Sequence, residues 1–379
     1  MPQVFVPKEI ADGETRVACT PETTKRYVKE GFDVHVESGA GLPAHFTDAH
    51  YQEAGAKVIS DDEAASAWGA ADVVLRVAPL TPDEAGRLRA GALFIGFLSP
   101  HKNHDTIRAL RDGKVNSVAM ELIPRISRAQ SMDALSSQAS IAGYQAVLMA
   151  AATLDKYFPL LMTAAGTIQP AKVVIMGAGV AGLQAIATAR RLGAVVEVSD
   201  IRPAVKEQVE SLGGRFIDFP MDESGEGEGG YARELTPEQL QAQQAVVREK
   251  VVAADVVVTT ALVPGRPAPR LITKDMVEEM REGAVIVDLA VEAGGNCELS
   301  KNNDTVTEAG VTIIGHPNLP ATTPADASLL YSRNIQALIL NMLEEGALKL
   351  DLEDEITDGA LLTHDGQVRH APTKEALDA

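Results

Sequence analysis

The residues best suited to chemistry form the run Gly177-Ala178-Gly179-Val180-Ala181-Gly182, with Asp200 a short way downstream. A GxGxxG turn that opens a helix turns main-chain N–H groups and the positive helix end toward a pyrophosphate. Each glycine has its own task. Gly177 permits a tight turn, Gly179 lets the backbone approach the phosphates, and Gly182 lets helix and strand pack closely. Asp200 can accept hydrogen bonds from an adenosine ribose 2′-hydroxyl, and a carboxylate there would repel a 2′-phosphate, which favours NAD(H). Arg202, two residues on past Ile201, leaves that preference open.

A second polar group lies in Pro124–Gln138 (PRISRAQSMDALSSQ), where Arg125, Arg128, Gln130, Asp133, Ser136 and Gln138 precede the apolar stretch Ile141–Leu154. As a plain linker this is a solvated helix start, capped by Asp133 or Ser131. As a site it offers partners for a carboxamide and a ribose.

The elements that must carry these groups follow from the apolar pattern. Val173–Met176, the glycine turn, a helix over Leu183–Leu192 and Val195–Ser199 ending on Asp200 form one strand–turn–helix–strand unit. The series continues through Arg215–Phe219, Asp255–Ala261, Ala284–Ala290 and Val311–Gly315. An earlier series has strands at Val4–Val6, Val34–Glu37, Lys57–Ile59, Val73–Val77, Leu93–Phe97 and Val115–Met120, with a helix at Pro21–Glu30. Strands alternating with helices predict parallel sheets. The expected fold is α/β: two Rossmann-like, doubly wound lobes separated by a cleft, with the nucleotide fingerprint in the second. Residues 1–125 with 330–379 are assigned to the first lobe and 126–329 to the second. A long helix over Ser328–Leu343 would return the chain to the first lobe. Tyr157–Pro170 reads as an apolar hairpin turning at Gly166. On a monomer it would be a liability, so it predicts a homodimer.

Composition excludes several classes. The formal net charge of −19 argues against nucleic acid and anionic lipid as partners, although a saline habitat would give the same balance. Neither a run of about 18 apolar residues nor a secretory leader is apparent. Cys19 and Cys297 lack ligand-like spacing and read as reduced thiols. His101 and His104 lie in a polar stretch without further ligands, so no metal is expected. Asp222–Gly230, low in complexity and leading to Tyr231, reads either as a solvent loop or as a lid. Asp288 and Glu292 could face a nicotinamide or cap Ala293–Asn296.

Arg125–Gln138, Gly177–Gly182, Lys206–Gly213, Thr259–Pro269 (TTALVPGRPAP) and Val287–Cys297 (VDLAVEAGGNC) together resemble the NAD(H)-binding component of the proton-translocating nicotinamide nucleotide transhydrogenases. The resemblance runs from Glu9 to about Tyr331. It implies hydride transfer from NADH directly to NADP(H) in its oxidised form on an NADP-binding subunit, coupled to proton movement by a membrane-spanning subunit. It implies a separately encoded component, cytoplasmic and peripheral on the inner face of the cell membrane. The same resemblance implies that Arg125, Gln130, Asp133 and Ser136 surround the dihydronicotinamide and its ribose, with Ile126 and Ser127 beside them. It adds Val180 and Ala181 at the phosphates, Asp200, Ile201 and Arg202 at the adenosine, and Gly230, Tyr231 and Leu262 over the cofactor.

The alternative is an alanine dehydrogenase, which shares the two-lobe fold. Oxidising an amino acid requires a base and a cation for the carboxylate. Where that family has a lysine and a histidine, this chain has Arg76 and Phe97. Transfer between two nicotinamides requires only alignment of the rings. A third class, an NADH-binding sensor without turnover, differs from both in showing no transfer to any acceptor.

Overall fold

The computed structural model describes residues 1–218, 237–262 and 265–378, so Gly230 and Tyr231 of the anticipated lid lie outside the described residues. The chain forms two compact units, Met1–Gln138 with Pro320–Ala379, and Ala139–Leu319.

The first unit is built on an eight-stranded sheet. Across it the strands run Gln367–Val368, Leu361–His364, Asn116–Ala119, Leu93–Gly96, Val73–Leu75, Gln3–Val6, Asp33–Glu37 and Lys57–Ile59. The six N-terminal strands pair in parallel; Leu361–His364 adds antiparallel to Asn116–Ala119. Helices cover both faces, which is why these strands are apolar throughout instead of alternating. Val4 and Val6 enter one core with Val34, Leu75, Tyr331 and Ile335, while Phe5 enters the opposite core with Trp68, Val74 and Phe94. The helix Pro21–Lys29 starts where Thr20 accepts the Thr23 N–H and Thr23 returns the bond, a capping box.

The second unit has a seven-stranded sheet ordered Arg215–Phe216, Val195–Ser199, Lys172–Met176, Val256–Thr259, Val285–Asp288, Val311–Gly315 and Asp304–Glu308. All neighbours are parallel except the last pair. Val173, Ile175, Val196 and Val258 pack on one face; Val174, Met176, Val257 and Ile286 pack on the other. The strand order reverses at Lys172–Met176, and open α/β sheets bind ligands beyond the carboxyl ends of strands at such a point. Leu161–Thr163 and Gly166–Ile168 form the separate two-stranded antiparallel hairpin expected within Tyr157–Pro170.

The α/β class with two Rossmann-like units agrees with the sequence reading, but the division falls elsewhere. Residues 126–138 and 320–329, expected with the second lobe, belong to the first unit. The reason is side-chain capture. Gln138 Nε2 donates to the Ala327 carbonyl at 3.1 Å, Ser137 Oγ to Asn334 Oδ1 at 2.7 Å, and Asn334 Nδ2 to the Ser131 carbonyl at 2.8 Å. The division therefore lies inside the helix Ala134–Thr153. The long helix begins earlier than expected, at Pro324, and ends at Asn341. Strands Asp304–Glu308 and Leu361–His364 had no counterpart in the sequence reading.

Candidate functional site

In the second unit Lys172–Met176 runs into Gly177, whose N–H donates to the Ser199 carbonyl at 2.8 Å. Gly177 has φ +105°, which side-chain-bearing residues rarely adopt, and a Cβ there would stand 2.5 Å from Thr260 Oγ1. That hydroxyl in turn donates to the Gly177 carbonyl at 3.1 Å. The turn is thereby fixed against the end of the neighbouring strand.

Gly179 precedes the helix Val180–Arg191 and no side chain caps the helix start. A Cβ on Gly179 would meet nothing within 4 Å. The N–H groups of the first helical turn have no intrahelical acceptor, and the helix dipole adds positive potential where they point. These donors, beside a Gly179 without side-chain bulk, suit a phosphate pair. Gly182 differs: its Cβ would lie 1.8 Å from the Gly177 carbonyl oxygen. Gly143, on the helix Ala134–Thr153, is equally constrained, with a Cβ falling 2.0 Å from the Ala181 carbonyl oxygen. Packing from both sides therefore holds Val180 and Ala181 where the fingerprint requires them.

Asp200 closes the strand Val195–Ser199 and is buried. Its Oδ2 accepts the Ala178 N–H at 2.7 Å, so the acid anticipated for the ribose also ties down the glycine turn. Oδ1 accepts the Arg202 N–H at 2.8 Å across the half-buried Ile201. The Arg202 guanidinium wraps back to both oxygens, from Nε at 3.1 Å and Nη2 at 3.0 Å.

The VDLAVEAGGNC segment is structural at its acid. Asp288 is fully buried and accepts from Thr259 Oγ1, the Ala290 and Cys297 N–H groups and Ser300 Oγ, at 2.7–3.0 Å. Of its two possible roles, holding the loop is the one its hydrogen bonds perform. Glu292 is exposed. Asn296 clasps the preceding segment, donating to the Ala261 and Pro269 carbonyls at 2.8 Å and accepting from the Ala261 N–H at 3.1 Å. Leu262, beside this clasp, is exposed, while Val263 and Pro264 fall outside the described residues.

The polar group of the first unit is arranged just as locally. Ser127–Met132 is a 3₁₀ turn whose Ala129 and Met132 are buried in the core, leaving Arg125, Ser127 and Gln130 exposed and Ile126 half-buried. Asp133 caps the next helix, accepting the Ser136 N–H at 2.9 Å and Ser136 Oγ at 2.6 Å. The capped-helix reading is thus realised, and the Asp133–Ser136 pair is held rigid by it. Arg128 pairs with Asp354, which also accepts from Asn341 Nδ2 at 2.9 Å and caps the helix Glu355–Ala360. The Arg128 charge and these hydrogen bonds outweigh partial burial and pull the Asp354 carboxyl well below its ordinary value. Asn334 and Asp354 were not among the sequence candidates; they lie more than 190 residues from the segment they hold and carry no local signature.

The two positions that separate the enzyme readings are both occupied. Arg76 is completely buried, with Nη1 on Glu84 at 2.6 Å and Nε on Glu9 at 3.1 Å. Arg16 is bound twice by Glu14 and donates to Gln138 Oε1 at 2.8 Å. Phe97 packs on Tyr331, ring centres 5.2 Å apart. A cavity of about 100 Å³ lined by Lys8, Glu9, Glu14 and Arg16 lies among these groups. Its guanidinium carries a matching carboxylate already.

Family models for the alanine dehydrogenase/PNT N-terminal and C-terminal domains match residues 5–142 and 146–371. The chain belongs to this family. It is 48% identical over 377 residues to the first portion of the NAD(P) transhydrogenase alpha subunit of Rhodospirillum rubrum, covering 97% of this chain and 98% of that protein. Superposed on the crystal structure of the transhydrogenase from Sinorhizobium meliloti, it gives a TM-score of 0.87 at 47% identity, covering 97% and 99% of the two chains. An alanine dehydrogenase from Staphylococcus saprophyticus is 29% identical, covering 99% of this chain and 96% of its own. The transhydrogenase alpha subunits are therefore its nearer branch, and the resemblance read from the motifs stands.

Proposed function

We propose that this chain is the NAD(H)-binding component of a proton-translocating transhydrogenase. It presents NADH so that a hydride passes directly to NADP⁺ held by a partner subunit. The observation that carries this choice over amino-acid oxidation is the buried Glu9–Arg76–Glu84 cluster. An amino-acid carboxylate would have to compete with Glu84 and Glu9 for a fully desolvated guanidinium whose charge they already balance, and separating such buried pairs is costly. Phe97 offers no proton acceptor for the imine chemistry.

Hydride transfer between nicotinamides moves one bonding electron pair with its proton and leaves nothing for a side chain to protonate. The work of the protein is then binding and alignment. Gly177, Gly179, Val180, Ala181 and Gly182 hold the pyrophosphate, and Asp200 holds the adenosine ribose, with Ile201 and Arg202 lying beside the adenosine. Leu262 covers the nucleotide. Arg125, Ile126, Ser127, Gln130, Asp133 and Ser136 set the ring, Asp133 and Ser136 as one preorganised unit. Gln130, exposed on its 3₁₀ turn, reaches toward the nucleotide of the partner.

Two copies of the chain associate through the apolar hairpin, and a membrane-spanning subunit couples transfer to proton movement on the inner face of the membrane. No helix among the described residues is long and apolar enough to cross a membrane. The test is a turnover assay with three mixtures: the chain with NADH and an NADP-loaded partner component, the chain with NADH and NADP⁺ alone, and the chain with NAD⁺ and alanine. Transfer in the first mixture only is expected. Pyruvate formation in the third would move the assignment to the dehydrogenases. Tight NADH binding with no transfer in any mixture would leave a sensor.

A further inference from the structure

The carboxylate of Asp200 accepts four hydrogen bonds, two on each oxygen: Arg202 N and Nε on Oδ1, Ala178 N and Arg202 Nη2 on Oδ2. A carboxylate has about four acceptor positions, so this one is filled. It is also buried, 8% exposed, which leaves little room for additional donors. A ribose hydroxyl that is to bond Asp200 must replace a donor already there. The Ala178 and Arg202 N–H groups are main-chain donors within the turn and the strand end. The guanidinium is the side-chain donor among the four, on a side chain that is 26% exposed.

We infer that Arg202 is a specificity-determining residue that acts as a self-ligand of the ribose acid: its guanidinium holds the acceptor positions of Asp200 until a 2′-hydroxyl displaces it. The inference rests on the reading of Asp200 as the adenosine-ribose acid. Its consequence differs between the two nucleotides. For NADH the guanidinium is a competitor and lowers affinity. For NADPH it is a planar cation beside the 2′-position, the group that pairs with a phosphate, and it offsets the repulsion of the carboxylate. Arg202 therefore narrows the selectivity that Asp200 alone would produce.

The experiment is calorimetric titration of the full chain and its R202M, R202K and D200N variants with NADH and with NADPH at one fixed salt concentration. R202M should tighten NADH by on the order of 3- to 10-fold, the range of one or two net hydrogen bonds, and weaken NADPH. Such opposite shifts are not expected from simple loss of structure. R202K keeps the charge without the fork, so it should tighten NADH while leaving NADPH close to wild type; it also serves if R202M does not fold. NADH affinity that falls in R202M and is unchanged in R202K would overturn the self-ligand role. D200N separates the two levels of the argument. Weakened NADH binding supports the ribose acid on which the inference rests, whereas unchanged binding removes that reading and the inference with it.

Discussion

Asn334 bridges both ends of the segment that carries Gln130: its Nδ2 donates to the Ser131 carbonyl at 2.8 Å and its Oδ1 accepts from Ser137 Oγ at 2.7 Å. One buried amide on the helix Pro324–Asn341 thus fixes the 3₁₀ turn and the first turn of the next helix relative to each other. Ring alignment tolerates little displacement, and a 1 Å error remote from the chemistry can cost about 10²-fold in rate.

Asn334→Ala should therefore lower partner-dependent transfer at saturating NADH more than tenfold, on the order expected for a misplaced aligning group, while NADH affinity stays within a few-fold. Asn334→Asp keeps the acceptor for Ser137 and loses the donor for Ser131, so it should fall between. Single-turnover transfer alongside NADH titration checks this. Equal losses in affinity and rate would show a general loss of fold instead of positioning.

The fingerprint glycines should separate by readout. Gly182→Ala drives a methyl into the Gly177 carbonyl and should destabilise the second unit by about 1–3 kcal/mol, the usual cost of overpacking. Gly179→Ala meets open space, so its melting temperature should hold while NADH affinity drops, because the methyl takes the room of a phosphate. Thermal melts and NADH titrations of the two variants decide it. A stable Gly182→Ala would contradict the packing.

The central strands and the fingerprint were legible because both demand local patterns: apolar runs for strands buried on two faces, and glycines where a Cβ cannot fit. Strand ends were read too long, as at Val73–Val77, where the regular strand ends at Leu75, although the Arg76 N–H still donates to the Ile95 carbonyl at 3.1 Å and the Phe97 N–H to the Val77 carbonyl at 3.3 Å. What stayed hidden was long-range. Leu361–His364 completes the first sheet against Asn116–Ala119, with Ser117 and Thr363 hydroxyls 2.7 Å apart, yet nothing near either residue announces the other. Asn334 and Asp354 escaped for the same reason. Asp288 was readable only as an acid at a strand end; its choice between ligand and loop depended on four donors brought by folding.

Gln130 and Asp200 should trade effects. Gln130→Ala should reduce transfer by on the order of 10²-fold with only a few-fold change in NADH affinity. Asp200→Ala should weaken NADH binding and leave transfer at saturating NADH far closer to normal. Full single-turnover transfer in the Gln130 variant would assign ring alignment to other residues of the segment.

The hairpin Leu161–Thr163 and Gly166–Ile168 exposes Leu160, Met162 and Ile168. Met162, 73% exposed, has the most accessible apolar side chain of the three. If the hairpin joins two copies, Met162→Glu combined with Leu160→Glu should convert a dimer to a monomer in sedimentation at micromolar concentration, with the melting profile of the monomer retained. Wild-type protein sedimenting as a monomer would remove the homodimer.

Asp255 gives the second unit a defined acid sensitivity. Its Oδ2 accepts Lys156 Nζ at 2.7 Å and the Lys172 N–H at 2.8 Å, and its Oδ1 pairs with Arg281. Burial alone would push this carboxyl up; Lys156, the Lys172 N–H and Arg281 together hold it below its ordinary value of 3.8. A carboxyl lowered on folding contributes stability above its unfolded value, and that contribution is lost as pH falls through the lower, folded value. Asp255→Asn keeps the shape and removes the charge, leaving Lys156 and Arg281 without their anionic partner. At neutral pH the variant should melt below wild type. The difference should shrink as pH drops below the ordinary value of 3.8, where the unfolded chain takes up the proton first, and vanish once the pH is under the lower value of the folded protein. Melting temperatures of both proteins from pH 7 to pH 2.5 measure it. A gap that stays constant across that range would mean that the arrangement contributes through shape, and that the charge of Asp255 is not what holds Lys156 and Arg281 in place.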